Sequence, residues 1–168
     1  MPTHAHARFA SRLSLVALLL TAFATAPCAQ ARLGESMSEM KKRLGKAPLP
    51  TERKNVYLWY FEVVDGPLAY VVTFNDKNIS IAEGLRPMKR ARFTSDLAQD
   101  FIATQTAPYA NSKTLRTVKP GEAYTFAGRN LTCGPKELVT VDDANGILIV
   151  WDQSAIPSIM AITPVAMP

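Results

Sequence analysis

The sequence predicts an α+β fold: two helix-plus-antiparallel-meander units packed as one small domain behind a cleaved leader. Three observations lead there. Residues 1–31 have the make-up of an export signal, a capped helix and three strand-like runs occupy 33–86, and a second helix with further strand-like runs follows Phe93. Removing the leader from the 168 residues leaves 137. A chain of that length buries roughly two-thirds of its unfolded surface, so no disulfide is needed to hold a core.

The leader has three parts. Arg8 and Arg12 are basic, Leu13 to Ala24 (LSLVALLLTAFA) is apolar, and Ala29-Gln30-Ala31 has the small-x-small cleavage pattern. The apolar block has 12 residues, whereas a membrane-crossing helix needs roughly 20. Cleavage after Ala31 is predicted, giving a periplasmic or secreted protein. Cys28 follows Thr25-Ala26-Pro27 rather than a Leu-Ala-Gly run, which argues against a lipid-anchored cysteine. Both histidines (His4, His6) and Cys28 leave with the leader, so Cys133 is the one cysteine remaining. That excludes His-dependent triads, His-ligated metals and an internal disulfide framework, and no cofactor is expected.

The leader holds two of the 19 basic residues, so the rest carries 17 against 14 acidic, net +3. The split is uneven: 32–92 has 12 basic and 7 acidic residues, 93–168 has 5 and 7. A basic first half suits an anionic partner surface, whether a membrane or an acidic protein, with Arg86, Lys89, Arg90 and Arg92 as candidate contacts. A solvated face that keeps the protein soluble explains the same charges. Nucleic acid is not expected as a partner of an exported protein.

Each element has a local reason. Ser36 and Glu39 form a Ser-x-x-Glu capping box that opens a helix. Met37, Met40 and Leu44 recur at helical spacing. Lys41, Lys42, Arg43 and Lys46 complement the negative end of the helix dipole, and Gly45 with Pro48 and Pro50 ends the helix. Asn55–Val64 (NVYLWYFEVV), Leu68–Phe74 (LAYVVTF) and Ile79–Leu85 (ISIAEGL) are aromatic and β-branched runs separated by Asp65-Gly66-Pro67 and by Asn75-Asp76-Lys77-Asn78, so a meander follows. Tyr57, Trp59 and Phe61 share one strand face and read as core.

The run Leu33-Gly34-Glu35-Ser36-Met37-Ser38-Glu39-Met40, then Leu44-Gly45 with Pro48, then an aromatic strand, resembles the small SmpA/OmlA (BamE-like) domain of bacterial envelope proteins. Its layout is also similar to the repeat of β-lactamase inhibitor proteins. The likeness covers about residues 33–86. No lipobox precedes it, Pro48 sits one residue late, and 93–168 has no counterpart in the minimal module. The resemblance implies a non-catalytic envelope or inhibitory role and carries no active-site residue with it.

Pro87 to Phe93 breaks the apolar pattern and divides 32–92 from 93–168. Thr94 or Ser95 caps a second helix to about Thr106, with Leu97, Phe101 and Ile102 inward. Thr114–Val118 and Ala123–Ala127 flank Pro120-Gly121. Leu138–Val141 and Ile147–Trp151 form a hairpin around Asp142-Asp143-Ala144-Asn145-Gly146. Ile159–Thr163 is a last strand.

Few residues suggest chemistry. Ser38-Glu39-Met40-Lys41 matches Ser-x-x-Lys, yet lies within the capping box and lacks its partner motifs. Asp143, Asn145, Gly146 and Asp152 fit an EF-hand loop only with Val141 as first ligand and strands as flanks, so a hairpin turn is the better reading. Glu62 and Asp65 are three apart, on opposite faces of a continued strand, and make a poor acid/base pair. Cys133 reads as a buried small hydrophobe, with an intermolecular disulfide or a reactive thiol as alternatives. The sequence therefore favours an exported, non-catalytic binding module of the bacterial cell envelope that engages another envelope or secreted protein. An inhibitor of a secreted enzyme and a small carboxylate-dependent enzyme are the other readings.

Overall fold

A computed structural model describes residues 32–88 and 91–167. The predicted leader, Lys89 and Arg90 lie outside the described residues. Helix α1 (Met37–Leu44) is followed by strands β1 (Leu49–Pro50), β2 (Val56–Val63), β3 (Gly66–Phe74) and β4 (Ser80–Pro87). Helix α2 (Ser95–Thr106) precedes β5 (Arg116–Val118), β6 (Ala123–Phe126), β7 (Arg129–Thr132), β8 (Glu137–Asp142), β9 (Ile147–Asp152) and β10 (Ser158–Ile162).

The local chemistry of α1 is as its sequence dictates. The Glu39 N–H donates to Ser36 Oγ while the Ser36 N–H donates to Glu39 Oε2 at 2.8 Å, completing the capping box. Such a cap is worth about 1 kcal/mol. Gly45 closes the helix at φ 63°, where a side chain would crowd the backbone. Thr94 caps α2 by accepting from the Leu97 N–H.

The architecture corrects the expected two units. Eight strands form a single antiparallel sheet in the order β1-β2-β3-β4-β10-β9-β8-β5, and β6 pairs only with β7. The described residues are mostly β, and the two α-helices among them are short. The expected meanders do not stand apart because β10 inserts between them, pairing Ile159 with Leu85 on β4 and with Trp151 on β9. The runs flanking Pro120-Gly121 also separate: β5 joins β8 at the sheet edge, while β6 turns back on β7.

Period-two alternation gives the sheet two different faces. On one, Trp59, Tyr70, Val72, Phe74, Leu85, Ile149 and Ile159 pack against Met40 and Leu44 of α1 and Ala98 and Phe101 of α2. Both helices therefore cover the same face. On the other, Val118, Val139, Val141 and Leu148 are covered by Tyr124, Phe126 and Cys133 of the β6–β7 hairpin and its flank. That core lies mainly over β9, β8 and β5 and reaches β10 through Ile162, with Met167 packed at its margin.

Candidate functional site

The uncovered part of the second face is the strongest candidate. One line of directly paired residues crosses all eight strands: Leu49, Leu58, Val71, Gly84, Met160, Val150, Val139 and Val118. Its chemistry is apolar throughout, but its cover is not. Val139 and Val118 are fully buried under the hairpin, whereas Leu49 is 51% and Met160 48% exposed. Leu58, Val71 and Gly84 are half-buried. The next row, Tyr60, Ala69 and Arg86, adds a 40%-exposed aromatic ring and one cation. Contiguous bare apolar surface of this kind marks an interaction site.

A shallow groove of about 220 Å³ crosses this face, bordered by Val71, Ala82, Gly84, Arg86 and Met160. It exists because Gly84 has no side chain. A Cβ there would stand 3.0 Å from the Ile159 carbonyl oxygen and 3.6 Å from Met160 Cβ.

The predicted anion-contact residues divide. Arg86 is exposed on the open face, opposite Ala69. Arg92 is exposed beyond β4, its N–H donating to the Asp65 carbonyl at 2.9 Å in the β2–β3 turn. The same loop crosses Gly66, whose φ of 107° and 2.9 Å approach to Ala91 exclude a side chain. Arg86 and Arg92 thus share one end of the sheet, while Lys89 and Arg90 lie outside the described residues.

A second candidate is buried. Glu83 on β4 is 1% exposed. Its Oε2 accepts from Tyr70 Oη and, at 2.8 Å, from Gln105 Nε2 of α2. Gln105 Oε1 in turn accepts from the Leu33 N–H at 2.9 Å, and Ser80 Oγ accepts from the Gly34 N–H at 3.0 Å. Burial raises the pKa of Glu83 more than hydrogen bonds from Tyr70, Ser80 and Gln105 lower it. Burial and the neighbouring Glu83 raise that of Tyr70. Among the described residues Glu83 Oε1 has no hydrogen-bond partner. The network joins four segments (the chain entering α1, β3, β4 and α2), which is what a structural clamp does. An adjacent cleft of about 530 Å³ is lined by Arg32, Glu35, Arg43, Ala103, Thr104 and Ala107, and its Arg43 is tied to Glu35.

The remaining candidates have structural partners. Ser38 Oγ sits 3.0 Å from Ser36 Oγ, inside the helix cap. Asp143 accepts from the Ala127 N–H at 2.8 Å, and Asp152 accepts from the Ser154 N–H at 2.8 Å, so these carboxylates hold turns. Among the described residues no three His, Cys, Asp or Glu side chains converge as metal ligands. Cys133 is buried in the second core, with Sγ 3.4 Å from the Glu137 carbonyl oxygen. Burial pushes its thiol pKa up, which disfavours the thiolate that reacts.

Sequence reasoning missed Asp142. It is fully buried and accepts from Thr114 Oγ1 at 2.7 Å, Asn145 Nδ2 at 2.7 Å and the Asn145 N–H at 3.2 Å. The Asp-Asp-Ala-Asn-Gly run signalled a turn, but nothing local said which carboxylate faces inward. Glu83, within a run of small and apolar residues, was the one available signal for the buried network. No protein-family model, curated protein or solved structure matches the chain.

Proposed function

We propose that the chain is an exported, non-catalytic binding module of the bacterial cell envelope that docks a protein surface on the open face of β1, β2, β3, β4 and β10. The observation that carries the reading is the apolar line from Leu49 to Val118, covered by the chain's own hairpin at one end and partly exposed at the other, most at Leu49 and Met160. Burying apolar surface gains roughly 25 cal/mol per Å², so a bare apolar face on an otherwise well-covered sheet favours a partner. Arg86, at the margin of that face, supplies a cation for an acidic group. The buried carboxylates are engaged in local networks, which fits a binding role better than acid/base catalysis.

The leader fits an activity in the periplasm or outside the cell. The test uses the protein as bait in an envelope fraction of an exporting bacterium, beside Met160→Glu and Thr104→Glu. Thr104 lines the cleft beside the helices and not the open face. A partner retained by the wild type and Thr104→Glu but lost by Met160→Glu supports the reading. Equal retention by all three refutes it. The N-terminal residue of the exported product tests the compartment: Arg32 is expected, and Met1 would refute export with cleavage.

A further inference from the structure

We infer that the open face pairs with the open face of a second copy of this chain, about a two-fold axis running along β3. The inference rests on the reading of that face as a docking surface and names its occupant. Three features of the face carry it.

The first is its symmetry. The strands beyond the hairpin lie in the order β1-β2-β3-β4-β10, so β3 is the middle one. A two-fold along β3 lays β2 over the partner's β4, and β1 over the partner's β10. An isologous contact of this kind requires each patch to meet its own counterpart. Here the register supplies the match. Leu58 comes over Gly84, where no side chain competes for the space, and Val71 meets Val71 on the axis. Leu49 comes over Met160, and Tyr60 over Arg86.

The second is charge. The outward positions on these strands carry one anion, Glu62, and one cation, Arg86, both exposed and toward the same end. The two-fold exchanges β2 with β4, which brings Glu62 of each copy beside Arg86 of the other. A face with one charge of each sign related in this way is self-complementary.

The third is size and walls. The five strands hold 2, 8, 9, 8 and 5 residues, which at about 3.4 Å per residue and about 4.8 Å between strands gives roughly 500 Å² of sheet per copy. Two copies then cover close to the ~1,000 Å² that a specific interface needs. Sheets packed face to face stand about 10 Å apart. The β6–β7 hairpin borders the open face on the β9 side. Under this axis each copy's hairpin lies beyond the other's β1 edge, so the two hairpins flank the contact without obstructing it.

An interface of that area falls in the class of weak, transient contacts. Sedimentation equilibrium on the purified protein from about 1 to 200 μM should show a monomer–dimer equilibrium. Met160→Glu sets an unpaired carboxylate against the partner's Leu49 and should weaken the dimer about tenfold or more. Glu62→Arg and Arg86→Glu should each weaken it, and the double variant should restore it, because the swap regenerates the same pair. A wild type that remains monomeric over the whole range overturns the inference, and so does failure of the double variant to recover. If the protein is monomeric but Met160→Glu still abolishes capture of an exported partner, the docking surface stands and the second copy is the wrong occupant. If Met160→Glu affects neither, both readings fail.

Discussion

Replacing Asp142 with asparagine should remove most of the acid sensitivity contributed by the C-terminal half of the sheet. Burial of Asp142 opposes ionisation, but hydrogen bonds from Ser112, Thr114 and Asn145 outweigh it, and the pKa falls from 3.8 to about 2. An acid whose folded pKa is depressed binds fewer protons in the native state than in the unfolded chain. Its contribution to stability is therefore present above the unfolded pKa and lost as pH falls from about 4 to about 2. At 1.36 kcal/mol per pKa unit, a shift of 1.8 corresponds to about 2.4 kcal/mol. The carboxylate lies beneath an exposed turn, Asp143-Ala144-Asn145, so solvent screening reduces this to about 1–2 kcal/mol. An amide in its place would keep one oxygen for Thr114 but set its own N–H against the Asn145 amide, now 2.7 Å from Oδ2. Urea unfolding of both proteins at pH 7, 4 and 2 gives the comparison. Asp142→Asn should be less stable at pH 7, and the gap should shrink by about 1–2 kcal/mol on acidification to pH 2. A gap independent of pH would show that this carboxylate is not what the turn network stabilises.

Glu83 should behave in the opposite sense. Burial raises its folded pKa, so its contribution is fully present below the unfolded value and declines as pH rises through the folded one. Thermal unfolding from pH 4 to pH 8 should find Glu83→Gln gaining on the wild type as pH rises, and a constant difference would contradict this. The β6–β7 turn offers a stabilising change. Ala127 is held at φ 53° beside Gly128 at φ 73°, a turn geometry in which Asn-Gly is the favoured pair. Ala127→Asn should add about 0.5–1 kcal/mol in the same urea assay, and destabilisation would mean that the turn tolerates alanine for another reason.

The amino-acid order by itself determined the segments. Ser36 and Glu39 could announce a helix start because their bonds span three residues, and Gly45 its end because only the local φ matters. The runs around Trp59, Val71, Val139 and Ile149 could announce strands because alternation is a property of neighbours. Two short elements escaped for the same reason: Leu49–Pro50 has too few residues to alternate, and Arg129–Thr132 is polar except for Leu131.

The tertiary structure alone decided how those strands were shared. Whether β10 closes the second unit or bridges both depends on Ile159 meeting Leu85, residues 74 apart in the chain, and no local pattern encodes that choice. The same applies to the candidate site. Leu58, Val71 and Met160 look in sequence like Val139 and Val118, because all are apolar positions on alternating strands. Which of them remain bare is set by where a two-stranded hairpin comes to rest, and it can cover only part of an eight-stranded face.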